Sequence, residues 1–147
     1  MTVGKARIIA ICGLCLWGDK LDLHNYIPSV ETMASERTAR ARILMKRHRV
    51  GIISEPFKSN PHLLARSRAK AAIRVLSSIT ILRGATFYMS PYKTVMMVER
   101  YVPEAVTIAR RAIAIVDGAT SEPTEAMDLT EQTIELFYSL YPDSRSK

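Results

Sequence analysis

The chain has 147 residues, 48% of them hydrophobic and 24% charged. That suffices for one domain, which at this size buries about 68–70% of its unfolded surface without a disulfide or metal. Global disorder, collagen-like repeats and a multi-domain layout are excluded. Two cysteines make no disulfide framework. The net charge of +7 points toward a negatively charged partner.

In chain order, Lys5 and Arg7 precede an apolar run from Ile8 to Trp17. The run has the outline of a secretory leader but lacks a small-x-small cleavage site, and charged Asp19 and Lys20 follow at once. It falls well short of the ~20 residues that span a bilayer. Residues 6–17 are therefore expected to form a buried central strand, residues 18–28 a polar connection, and the address to be intracellular. Ser29 reads as the N-cap of a helix reaching about Arg47. Val50 to Ser54 reads as a short strand. Asn60-Pro61 is a strong helix start, an N-cap followed by proline at the first helical position, and that helix is expected to run to about Leu76. Ile79–Met89 and Thr94–Val102 read as strands joined in a hairpin around Ser90-Pro91-Tyr92-Lys93. Pro103 opens a third helix that Gly118 caps. After a loop, Asp128 with Glu131 reads as an acidic capping box for a last helix ending at Pro142. The expected fold is α+β, ordered β-α-β-α-β-β-α-α, with helices covering a small, mostly antiparallel sheet. One domain is expected, with a basic body over 1–118 and an acidic helical segment over 119–147.

The charge is unevenly spread. Residues 1–111 hold 19 Lys and Arg against 7 Asp and Glu, whereas 112–147 hold 2 against 7. Between 37 and 74 there are 11 basic residues and one acid, Glu55. Fourteen of the 21 basic residues are arginine, whose planar fork suits phosphate and carboxylate.

On a helical wheel, Val30, Met33, Ala34, Ala41, Leu44 and Met45 share one face of the first helix. Arg37 falls inside that stripe. It is expected to snorkel past the core, to pair with an acid such as Glu99, or to reach a ligand. Arg40 and Arg47 flank the stripe, while Arg42, Lys46 and Arg49 point elsewhere. On the second helix Arg66, Lys70 and Arg74 repeat every fourth residue, with Arg68 toward the side and Leu64, Ala71, Val75 and Leu76 opposite. Like charges at that spacing repel weakly, and a polyanion lying across them reverses the cost. These ten basic residues form the candidate anion-binding set.

The expected partner is nucleic acid, RNA before DNA, held by its phosphates. No DNA-reading motif is present, and the aromatic residues cluster late in the chain, away from the basic segment. An acidic membrane surface is the alternative for the same side chains. No lipidation signal accompanies them. Attraction between the basic body and the acidic C-terminal helix region leads to an expectation of homo-oligomers. A basic, self-associating, polyanion-holding chain shares the general plan of viral matrix and nucleocapsid proteins, at the level of plan alone.

Catalytic and metal signals are weak. Cys12-Gly13-Leu14-Cys15 lies in an apolar run with no helix start behind it, so buried free cysteines are expected rather than redox chemistry. No second pair completes a zinc site, and His24, His48 and His62 lack ligand spacing. Ser67-Arg68-Ala69-Lys70 fits S-x-x-K without its companion motifs. His48 lies between Arg47 and Arg49, whose charges are expected to depress its protonation, which suits surface phosphate contact better than general-base work. No phosphate-binding glycine loop occurs. The expectation is a non-enzymatic protein with no cofactor. An enzyme acting on a small anion, with Arg37 and His48 at its site, is the remaining alternative.

Overall fold

The computed structural model describes residues 29–86 and 90–145, and every regular element among them is helical. The elements are α1 (Val30–Arg49), α2 (Pro61–Leu82), α3 (Pro91–Tyr101), α4 (Val106–Val116) and α5 (Pro123–Leu140), with short 3₁₀ turns at Pro103–Ala105 and Pro142–Arg145. The expected α+β fold is overturned: there is no strand or sheet among the described residues. The strand expected over 6–17, with Cys12 and Cys15, lies outside them.

Local chemistry sets the helix starts. Ser29 Oγ accepts from the Thr32 amide, and Asn60 Oδ1 accepts from the Leu63 amide with Pro61 behind it. Each fills one of the orphan donors of a first helical turn. Three helices end alike. Gly51, Gly84 and Gly118 all have positive φ. Each sits one residue past a cap, with paired amide bonds returning into the last turn: Gly51 to the His48 carbonyl and Ile52 to that of Arg47, Gly118 to Ile115 and Ala119 to Ala114. This is the Schellman closure, and it needs the left-handed backbone that glycine adopts without a Cβ penalty.

α2 contacts each of the other four helices. Fourteen of its 22 residues are buried, which only a central helix permits. That position explains why the strand expected at Ile79–Met89 does not form over its described residues, 79–86. Ile79, Thr80 and Ile81 are β-branched, but they continue α2 because neighbours cover it almost all round. Packing outweighs a strand preference of ~1 kcal/mol. The hydroxyls return to the helix backbone, Ser78 to the Arg74 carbonyl and Thr80 to that of Ser77, so no polar group there needs a sheet. Thr94–Val102 is likewise mostly helical. Pro91 takes the first helical position, and Thr94 and Val98 are the buried residues of α3, the four-residue spacing of a helix face. The hairpin expected at 90–93 is the start of this helix. Val50–Ser54 is a turn and an irregular loop.

Two hydrophobic clusters share α2. The larger joins Ala41 and Met45 of α1, Val75 and Ile79 of α2, Val98 of α3 and Phe137 of α5. The second is alanine-rich, setting Ala65, Ala69 and Ala72 against Ala112 of α4 and Ala126 of α5. The end of α1 lies against the start of α2, where His48 in its last turn meets Arg68. The acidic C-terminal helix begins at Pro123, five residues before the expected Asp128, and packs into the core of its own chain through Ile134, Phe137 and Tyr138.

Candidate functional site

The ten candidate basic residues divide among three settings. The first is the exposed arc of α2. At about 100° per residue, Arg66, Lys70 and Arg74 fall within one sector, joined by exposed Leu63. Arg66 and Arg74 are exposed and Lys70 is partly exposed. None of the three is in an ion pair among the described residues. Arg66 also lies close enough to Tyr92 for its charge to act on the phenol. Tyr92 donates to Asp117 Oδ1 across 2.8 Å and is 58% exposed. That hydrogen bond and the Asp117 charge raise the affinity of Tyr92 for its proton. The charge of Arg66 therefore reaches an exposed aromatic ring that is distant from it in sequence.

The second setting is α1, which has two basic flanks. One is turned toward α5. Arg42, Lys46 and Arg49 line a groove of about 390 Å³ with Glu131, Glu135, Met45, Ile134 and Tyr138. Arg49 pairs with Glu131 at 2.5 Å. Two acids of the C-terminal segment are thus engaged within the chain, Glu131 here and Glu125 by Arg111. Arg111 holds the Glu125 carboxyl below its usual range by a direct hydrogen bond. The middle of the buried face of α1 meets α2, as the His48–Arg68 contact shows. By helical position Arg40 and Arg47 lie on the other side of His48 from Arg42, Lys46 and Arg49. Both are exposed. Arg40 pairs with Glu36, and Arg47 is in no ion pair among the described residues. Arg37 is partly buried and already engaged. Glu99, the acid considered for it, accepts from Arg110 at 2.6 Å.

The third setting holds Arg68 alone, and it corrects the placement of that residue among the exposed anion-binding side chains. Arg68 is only 3% exposed. It points into the junction of α1, α2 and α5 rather than to the side of the helix. Its Nε donates to His48 Nδ1 at 3.2 Å, and its backbone carbonyl accepts from Thr130 Oγ1 at 2.9 Å. Nη1 is buried with no partner. Burial lowers the proton affinity of the guanidinium. His48 is shifted down as well, by burial first and by the Arg68 charge second. A nitrogen that accepts from a guanidinium is unprotonated, so His48 is neutral with its proton on Nε2. The sequence anticipated a neutral His48 but assigned the effect to Arg47 and Arg49.

Sequence reasoning missed two features here. Arg68 sits at the same helical angle as Val75 and Ile79, so the wheel already placed it on the core side. The proximity of Tyr92 to Arg66 had no sequence signal, since it depends on α3 being a helix. The α1–α5 groove contains neither Arg37 nor His48, the pair on which the enzyme alternative rests. No helix among the described residues is long and apolar enough to cross a membrane. Comparison with protein-family models, with curated proteins and with solved structures returned no match.

Proposed function

We propose that this chain is a non-enzymatic binding protein that grips nucleic-acid phosphates through the exposed arc of α2. The observation that carries the reading is the state of Arg66, Lys70 and Arg74. They stand in line at successive turns, about 6 Å apart along the axis, with no carboxylate neutralising them among the described residues. A row of solvated cations is costly in isolation and favourable under a polyanion, which releases counterions when it binds. Tyr92, exposed and within reach of the Arg66 charge, adds a flat face on which an unpaired base can stack, which favours single-stranded RNA over duplex.

The test is fluorescence anisotropy with single-stranded RNA across a salt series. Three phosphate contacts give a log–log slope of about −2. Charge reversal of Arg66, Lys70 and Arg74 to glutamate is expected to abolish binding while leaving the helical spectrum and melting temperature in place. An affinity that stays flat from low to physiological salt, or a triple variant that binds as well as the parent, overturns the reading.

A further inference from the structure

Six large hydrophobic side chains are exposed among the described residues, and three of them fall within ten residues at the C-terminal end of α1. Ile43 is 51% exposed, Val50 70% and Ile52 62%. Ile43 is on α1 and Val50, seven residues on, is its C-cap, so they share its outward line about 10 Å from one another. Lys46 and Arg47 fill the turn between them, and both are exposed. Ile52 follows Gly51 in the closing turn of the helix. In a Schellman closure this residue ordinarily packs on an apolar side chain in the last turn of the helix. Here the matching positions are Lys46 and Arg47, and Ile52 is left in water. No acid occurs between Glu36 and Glu55. The result is a ridge of three aliphatic side chains interleaved with cations.

We infer that this ridge docks on the surface of an anionic phospholipid leaflet. A leaflet is a partner in which a sheet of negative charge overlies an apolar layer. Branched aliphatics at the ridge would enter below the phosphates, while Lys46 and Arg47 extend back up to them. Nucleic acid offers phosphates but no apolar layer, and isoleucine and valine have no flat face for base stacking. The buried centre of a protein interface is depleted in lysine, whereas here Lys46 sits mid-ridge. The inference stands apart from the α2 stripe and holds whether or not that stripe binds RNA.

The experiment is flotation of the full chain with two kinds of vesicle, phosphatidylcholine alone and phosphatidylcholine mixed with phosphatidylserine. The chain is expected to float with the mixed vesicles and to stay behind with the neutral ones. Ile43→Ser, Val50→Ser and Ile52→Ser together are expected to weaken flotation by about tenfold or more and to leave RNA affinity unchanged. Lys46→Gln with Arg47→Gln is expected to weaken it as well, and serves as an independent probe that keeps all three aliphatics. Equal flotation with both vesicle types, none with either, or full binding by the serine variant overturns the inference. So does a serine variant that loses lipid and RNA binding together, which would assign the ridge to nucleic acid.

Discussion

Arg68 donates from Nε to Nδ1 of His48 across 3.2 Å, so the one buried guanidinium among the described residues rests on an imidazole instead of a carboxylate. The contact ties the last turn of α1 to the start of α2. It survives only while His48 remains neutral, because a protonated ring has no lone pair at Nδ1 and adds a second cation beside the first.

A pH dependence follows with a definite sign. The proton affinity of His48 is lower in the folded chain than in the unfolded one. As pH falls through about 6.5, the unfolded chain takes up more protons than the folded chain. Stability from this group is therefore complete above that value and declines below it. The urea midpoint is expected to drop from about pH 7.5 to about pH 5.5, and the drop is expected to be smaller in His48→Gln. Equal drops in parent and variant would show that His48 is not the group responsible.

Replacing the buried charge is expected to help. Arg68 Nη1 is buried without a partner, and such a group costs about 1–3 kcal/mol. Methionine has a similar length and no such demand. Arg68→Met is expected to unfold at higher urea, since exchanging a buried charge for a well-packed apolar side chain is often neutral or stabilising. Water can take the place of the lost donor on partly exposed His48. RNA affinity is expected to stay the same, because Arg68 is not on the exterior. A markedly lower urea midpoint would mean that Arg68 holds the helix junction together.

The core has a clear weak point. Phe137 is 1% exposed. Its ring meets Tyr138 edge-on at 5.5 Å and Tyr141 at 5.3 Å. Phe137→Ala leaves a cavity where α5 joins the larger cluster, with an expected cost of about 3–5 kcal/mol by chemical denaturation. A loss below 1 kcal/mol would mean that neighbouring residues collapse into the space.

Gly118 separates backbone strain from steric fit. A Cβ built there meets nothing within 4 Å, yet φ is +96°. Gly118→Ala is therefore expected to cost about 1–2 kcal/mol from backbone conformation alone. Gly118→Asn is expected to cost less, because asparagine tolerates the left-handed region better. Equal costs for the two variants would point to some other cause.

The helix ends that depend on local chemistry were legible in the sequence. Ser29, Asn60-Pro61 and Gly118 each satisfy their helix termini with nearby side-chain or backbone groups, and the structure has them in those roles. The fold class was not legible. Ile79, Thr80 and Ile81 look like a strand because their side chains are β-branched, and only the presence of four surrounding helices makes a helix the better host. Thr94, Val98 and Val102 did carry the helical spacing, but the apolar content of the segment masked it. For the candidate site, the exposed arc of Arg66, Lys70 and Arg74 follows from spacing alone. The burial of Arg68 was legible in the same way, since it shares the helical angle of Val75 and Ile79, whereas the electrostatic reach of Arg66 to Tyr92 depends on how helices meet, which a pattern along one helix does not encode.

The central place of α2 also bears on how the molecule comes apart. Both hydrophobic clusters borrow one side of the same rod, so neither half can melt while the other keeps its order. Withdrawing α1 or α5 uncovers α2, and uncovering α2 removes the support of α3 and α4. Loss of structure is therefore concerted, with a single cooperative transition and no half-folded remainder.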